Sequence, residues 1–196
     1  MRVVHLDAAV VVVDKPSGLL SVPGRSEPDC ASARVQAQYP DALIVHRLDM
    51  ATSGLLLFAR GAAMQRALSL DFAERRVAKR YIAIVAGRLE AEGWQEIDLP
   101  LIADWPHRPL QKVDHAIGKP STTRWRVLAH EALGTRLELE PVTGRSHQLR
   151  VHLQALGHPI VGDTLYGGTP AARLLLHACA LALPARGLSL DCPPDF

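Results

Sequence analysis

The residues best suited to chemistry in this chain gather between Val45 and Arg60, in the string VHRLDMATSGLLLFAR. His46, Arg47 and Asp49 stand where a strand gives way to a turn, followed by Thr52, Ser53 and Gly54. A carboxylate at a strand end can point out of the sheet into a cleft. Its reference pKa of about 3.9 keeps it ionised at neutral pH, ready to act as nucleophile or base. The competing reading is an Asp that caps its own turn through Thr52 or Ser53. His46 reads as a structural support rather than a proton shuttle. A second group lies in GRSHQLRVH, which carries Arg145, His147 and Arg150 into a short helix. The start of that helix at Ser146–His147 offers backbone N–H groups to a phosphate. On its own Arg150 reads as a surface helix arginine rather than a site residue. Lys79 and Tyr81 sit two apart in a strand and share a face. The Tyr81 ring either stacks on a base or packs in the core. Lys79 meets a phosphate, braces the site or faces solvent.

Other constellations are weaker. Ser53 stands in TSG without the GxSxG elbow of a hydrolase. His147 and His152 have no accompanying carboxylate ligand set, so no metal is expected.

Those residues need elements to hold them. Val3–Leu6 and Val10–Asp14 read as a hairpin around Asp7, Ala8 and Ala9, followed by the Pro/Gly-punctuated loop KPSGLLSVPGR. Asp29 is placed to cap a helix running to about Tyr39. LIVHRLD ends one strand and GLLLFAR begins another. Met64, Leu68 and Phe72 recur at fourfold spacing and predict a helix from Ala62 to about Arg76. RYIAIVAGR reads as a strand, and Glu90–Asp98 as an acidic solvated turn leading into one. STTRWRVLAH and TRLELEPV form a hairpin about Leu133–Gly134. SHQLRVHLQALG is a helix capped by Ser146 and stopped by Gly157. LLLHACALAL and LSLDC close the chain as a strand pair. Many strands with a few segregated short helices predict an α+β fold with a mostly antiparallel sheet, read as one catalytic domain over residues 1–196.

Bulk composition sets the class. At 196 residues, 48% hydrophobic and 21% charged, the chain is an ordinary globular protein. Its apolar runs are too short to span a bilayer, and its start lacks a signal-peptide pattern. Cys30, Cys179 and Cys192 have no ligand spacing and read as reduced thiols in a cytoplasmic protein. The net charge is only +2. Local basic runs, ERRVAKR at 74–80 and the stretch from Asp104 to Arg126, are candidates for phosphate contact or plain solvated faces. Acidic Glu90–Asp98 is expected to face away from any such phosphate.

The block HRLDMATSGLLLFA resembles the signature of the RluA family of RNA pseudouridine synthases. VVDKPSGLLSVPGR, AKRYIAIVAG, PVTGRSHQLRVHLQALGHPIVGD and RLLLHACAL resemble further blocks of that family, in its order and over nearly the whole chain. The resemblance implies the pseudouridine synthase fold with a central active-site cleft, and isomerisation of uridine in structured RNA. It implies Asp49 as the catalytic carboxylate, Arg150 set against it, and Tyr81 stacking on the uracil and helping to remove the C5 proton. Arg47 is implied to fill the stack left by a flipped-out nucleotide, with Lys79, Arg145 and His147 as further RNA contacts. The reaction gains and loses no electrons, so no cofactor is expected. Whether Asp49 attacks the sugar or deprotonates it stays open. DWPHRPLQKV resembles the short members, which lack a separate S4-type RNA-binding domain and modify a tRNA anticodon-loop uridine and a 23S rRNA hairpin uridine. A monomer acting on RNA without membrane or obligate protein partner is expected. The alternative is a non-catalytic RNA-binding or RNA-folding module on the same scaffold.

Overall fold

The computed structural model describes residues 1–196. In chain order its elements are β1 (Arg2–Leu6), β2 (Val10–Lys15), α1 (Ala31–Gln36), β3 (Ala42–Ile44), β4 (Ser53–Arg60), α2 (Gly61–Ala73), β5 (Ala78–Val85), β6 (Gln95–Asp98), β7 (Leu101–Ala103), β8 (Gln111–Val113), β9 (Thr122–Glu131), β10 (Gly134–Pro141), α3 (Gln148–Ala155), β11 (Leu176–Leu183) and β12 (Leu188–Asp191). The chain divides into two compact units. The first comprises Met1–Lys79 and His177–Asp195, the second Arg80–Leu176 with Phe196.

In the first unit β2 lies between β1 and β4, and all of Val10–Val13 are buried. An unbroken valine run is what a strand covered on both faces requires. The Asp7 carboxylate turns the first hairpin by accepting the Ala9 and Val10 N–H groups at 2.6 and 2.8 Å. β3 pairs with β4, β12 with β11, and β4 with β11 in parallel. One core layer gathers Val10, Val12, Leu55, Leu57, Leu181, Leu183 and Cys192. Leu68 of α2 is fully buried against it, with Met64 and Phe72 packed alongside, as the fourfold spacing predicts. The helix ends at Ala73, earlier than Arg76, because Arg75 turns left-handed (φ 59°).

The first helix departs from expectation. Cys30, not Asp29, is the N-cap, its sulfur accepting the Ala33 N–H at 3.4 Å, and the helix stops at Gln36. Asp29 instead takes the Arg34 guanidinium at 2.7 Å. An exposed carboxylate gains more from a charged fork than from one N–H.

In the second unit β5, β10, β9 and β6 follow one another in antiparallel order, and β7 pairs with β8. The β9–β10 turn falls at Ala132–Leu133; Gly134 is already in the strand. A Cβ on Gly134 would lie 1.9 Å from the Val85 carbonyl oxygen, so this approach of β10 to β5 admits only glycine. The helix α3 also differs at its start. His147, in the left-handed region (φ 54°), is the N-cap and no side chain caps the helix, whereas Ser146 was expected to. The Gln148 side chain fastens the turn that precedes the helix, accepting from the Arg145 N–H at 3.0 Å and the Thr143 hydroxyl at 2.7 Å. Gly157 (φ 80°) follows the helix as expected.

The fold is α+β. β4 with β11 runs parallel, and every other pairing within a unit is antiparallel. No helix is long and apolar enough to cross a membrane.

Gly54, at the start of β4, has φ 109°, and an added Cβ would lie 2.3 Å from the Ala178 carbonyl oxygen. Because both the dihedral and the space forbid a side chain, Gly54→Ala is expected to destabilise the protein by at least about 3 kcal/mol in urea unfolding. A loss below about 1 kcal/mol contradicts the tight β4–β11 approach.

Candidate active site

Asp49 sits in the connection between β3 and β4. Its main-chain carbonyl closes a tight turn by accepting the Thr52 N–H at 3.1 Å. The closing acceptor is therefore backbone. Ser53 is engaged elsewhere, its hydroxyl 2.8 Å from His177 Nδ1. Asp49 is partly buried, Leu48 before it is buried, and Arg47 and Met50 are exposed. The chain thus anchors one side chain inward and presents its neighbours outward.

The turn is held from outside by the loop KPSGLLS. Ser21 exchanges two hydrogen bonds with Leu48, its hydroxyl donating to the carbonyl at 2.7 Å and accepting the N–H at 3.1 Å. Gly18 N–H donates to the Met50 carbonyl at 2.9 Å, and the Ser17 hydroxyl to the Ala51 carbonyl at 2.7 Å. Lys15 completes the set. Its side chain is fully buried, and the ammonium donates to the carbonyls of Pro16 (2.9 Å), Leu19 (2.8 Å) and Met50 (3.1 Å). Burial pushes the ammonium down to about 8, and the Asp49 charge acts in the opposite sense. A buried lysine without such acceptors is costly. Here it supplies a positive charge that senses Asp49 and ties down the residue next to it.

Lys15 was missed as a site residue, although the signal was available. Two residues beyond four valines and on the same strand face as Val13, a lysine directly before Pro-Ser-Gly falls on a buried position.

His46 and Lys79 also belong to the first unit. His46 Nε2 accepts the Leu57 N–H at 3.0 Å, and the ring stacks on Phe72 with centroids 4.7 Å apart. Burial, assisted by the Lys79 charge, pushes His46 down to about 3, so the ring is neutral. This is the structural role expected from sequence. Lys79 Nζ lies 6.0 Å from the Phe72 centroid, and burial lowers its pKa. Lysine, phenylalanine and histidine form one brace behind the 46–49 segment.

The second unit holds Tyr81, Arg145, His147 and Arg150. Tyr81 is half-buried on β5, opposite Leu139 of β10. Arg150 is not a solvated helix arginine. It is buried, and its guanidinium grips Asp163 with two parallel bonds of 2.7 Å. Asp163 also accepts the N–H groups of Leu165 and Tyr166 at 3.0 and 3.1 Å. The Arg150 guanidinium lies 5.0 Å from the Tyr166 ring centroid. Breaking a buried pair of this kind typically costs about 3–5 kcal/mol. Tyr166 in turn bonds His147 Nδ1 at 2.7 Å and accepts the Gln111 N–H at 2.9 Å. Asp163 and Tyr166 therefore join Arg150 to His147. Sequence reasoning overlooked both, although Asp163 ends the quoted string GHPIVGD. Arg145 is exposed, with its Nε 3.4 Å from the Pro120 carbonyl. His152 spends both ring nitrogens, on Thr123 and on the Leu99 carbonyl, at 2.9 and 3.0 Å.

The basic runs are partly self-neutralised. Arg76 pairs with Asp71 and Glu74, and Arg80 with Glu138 and Glu140. Arg124 and Arg126 pair with Glu140 and Glu138. Arg47 and Arg145, both exposed, appear in none of these pairs.

The model of the RNA pseudouridylate synthase family matches residues 9–155. The chain is 50% identical over 206 aligned residues to the dual-specificity RNA pseudouridine synthase RluA of Escherichia coli (strain K12), covering 99% of this chain and 93% of that protein. It is 51% identical to the protein of the same name from Vibrio vulnificus (strain CMCP6), over 92% of this chain and 76% of that one. Among solved structures, human RNA pseudouridylate synthase domain containing 1 superposes with a TM-score of 0.82 at 31% identity, over 98% of this chain and 82% of that one. The chain belongs to the RNA pseudouridylate synthase family. The class is an isomerase acting on uridine in RNA.

A histidine whose folded pKa of about 3 lies below its usual 6.5 binds fewer protons folded than unfolded through that interval. Its contribution is whole above pH 6.5 and is lost as pH falls toward 3, a full loss on the order of 4 kcal/mol. His46→Gln keeps an acceptor for the Leu57 N–H and does not titrate. Urea unfolding of this variant between pH 7 and about pH 4 is expected to fall less steeply than that of the unsubstituted protein; identical slopes contradict a neutral His46.

Proposed function

We propose that this chain converts uridine to pseudouridine within a structured RNA, with Asp49 as the acting carboxylate. The observation that carries the reading is the clamp on residues 48–51, with the Lys15 charge buried beside the carboxylate it senses. A turn that only linked two strands would not require a buried ammonium and two serine hydroxyls.

The chemistry is an internal exchange. The bond from ribose C1′ to uracil N1 breaks, the base turns, and a bond from C1′ to C5 forms. C5 then loses a proton and N1 gains one, so atoms and electrons balance without a redox partner. Asp49 either bonds to C1′ or removes a proton from the ribose. Good positioning supplies on the order of 7–11 kcal/mol to such a reaction. Tyr81 offers a ring to the uracil and a hydroxyl to the C5 proton. Arg150 is retained as a catalytic-site cation on the family resemblance, its guanidinium held in place by Asp163. Arg47, exposed next to the buried Leu48, takes the space left by the extruded nucleotide. Lys79, Arg145 and His147 contact phosphate or sugar. The target is a tRNA anticodon-loop uridine, a 23S rRNA hairpin uridine or both, met in the cytoplasm by a monomer. That the relatives are named dual-specificity enzymes supports two RNAs.

The test is incubation with tRNA and rRNA transcripts, scoring pseudouridine by carbodiimide-adduct primer stops. Asp49→Asn is expected to bind RNA as before while turnover falls by about a thousandfold or more. Tyr81→Phe is expected to bind normally and turn over at least about a hundredfold more slowly. Turnover by Asp49→Asn at the parental rate overturns the assignment of Asp49.

A further inference from the structure

One polar cluster in the first unit takes no part in the site just described. It lies at the end of the apolar layer formed by β2, β4, β11 and β12. The antiparallel register pairs Ala180 with Asp191 and Leu181 with Leu190. One step further sets Cys179 opposite Cys192, and the Cys192 N–H donates to the Cys179 carbonyl at 2.7 Å. Residues opposed in this way share a face, with Cα atoms about 5.5 Å apart. That separation is the one disulfides most often span. The shared face is the core face, because Leu181 and Leu183, which alternate with Cys179, pack in the same layer as Cys192. Both residues are thiols.

Their surroundings differ in a useful way. Cys192 is 1% exposed, while Cys179 is only partly buried. The Cys192 sulfur accepts from Arg2 Nη2 at 3.2 Å, and Arg2 also meets Asp14 at 3.3 Å. Burial first, and then the Asp14 charge, push the Cys192 thiol up, while the Arg2 charge acts in the opposite sense. Ligand-capable atoms of Asp14, His177 and Cys192 lie within 4.8 Å of one another, which on composition alone suggests a metal site. The imidazole is already spent. His177 Nε2 donates to the Cys192 carbonyl at 2.9 Å, and Nδ1 accepts the Ser53 hydroxyl at 2.8 Å. The cation of this cluster is the Arg2 guanidinium.

We propose that Cys179 and Cys192 form a reversible cross-strand disulfide, with Cys179 as the thiol that reacts with a hydroperoxide and Cys192 as the thiol that resolves it. In the first step the Cys179 sulfur takes one oxygen from the hydroperoxide, which is reduced to alcohol or water, and Cys179 becomes a sulfenic acid. In the second step the Cys192 sulfur attacks the Cys179 sulfur, the S–S bond forms as the S–O bond breaks, and the S–H proton passes by way of Asp14 to the departing hydroxide, which leaves as water. Arg2 steadies the negative charge on the attacking sulfur. A dithiol reductant returns both thiols by exchange. Cys30, buried at the N-cap of α1 with its sulfur on Ala33 N–H and Ser32, stays out of the chemistry.

The experiment is hydrogen peroxide treatment of the full chain, followed by thiol counting in denaturant and peptide mapping. The count is expected to fall from three to one and return to three with dithiothreitol, with Cys179 and Cys192 in one linked species that has lost two hydrogens. In Cys192→Ala the reaction is expected to stop at a Cys179 sulfenic acid that dimedone captures. In Cys179→Ser, a change at a partly exposed strand position, both remaining thiols are expected to survive. The proposal is overturned if peroxide leaves all three thiols intact, if dimedone labels Cys179 in the unsubstituted protein while Cys192 stays reduced, or if the lost thiols appear in intermolecular dimers.

Discussion

The loop Lys15–Ser21 determines where Asp49 stands. Residues 48–51 make no strand and no helix, so nothing in their own backbone holds them beyond a single turn bond from Thr52 to Asp49. Lys15, Ser17, Gly18 and Ser21 supply the missing partners, taking up the carbonyls of Leu48, Met50 and Ala51 and the N–H of Leu48. Hydrogen bonds in which a charged donor meets a buried carbonyl are worth about 1.5–3 kcal/mol each, and leaving such a carbonyl unsatisfied costs a similar amount. The clamp is thus cooperative. Loss of Lys15 strips three carbonyls at once and removes a buried positive charge that acts on Asp49.

The strand before the clamp explains why it can be so tight. β2 is buried along Val10–Val13 and emerges with Lys15 still fully covered, so the loop leaves the core already oriented. At the far end of the turn, Gly54 lets β4 approach the backbone at Ala178 more closely than any side chain permits. Between these two rigid ends a short irregular segment can hold a carboxylate in one position. Behind it, His46 stays neutral because it is enclosed, accepts a backbone N–H and faces the Lys79 charge. The second unit repeats the principle with other residues. Arg150 is locked by Asp163, and Asp163 is locked by the backbone of Leu165 and Tyr166.

Charge followed a different logic from the one its local sums suggest. ERRVAKR carries an excess of cations in sequence, yet Arg76 and Arg80 are paired with carboxylates contributed by α2, the segment after it and β10. Arg124 and Arg126 find Glu140 and Glu138 across the β9–β10 ladder, which sets these residues directly opposite each other. The net charge of a segment is a property of composition. The charge it presents depends on strand register, which only folding creates. Arg47 and Arg145 stay exposed, outside these pairings.

Patterns with a short physical range were legible in the chain itself. The alternation and valine run announced the strands, the spacing of Met64, Leu68 and Phe72 announced a helix, and HRLD before two hydroxyls and a glycine marked the turn that carries Asp49. Helix starts were misread at Asp29 and Ser146, because a cap is chosen by competition among nearby groups. Arg34 won Asp29, and a left-handed His147 stands at the start of α3 where Ser146 was expected to cap. Partners distant in sequence were not legible at all. Nothing in KPSG says that its lysine ends against Met50, and nothing in HQLR says that its arginine ends on Asp163. Residue type and local period determine which element forms. Which buried charge meets which acceptor is decided when strands and loops far apart in the chain are packed together, since only there is water removed and an unmatched polar group becomes expensive.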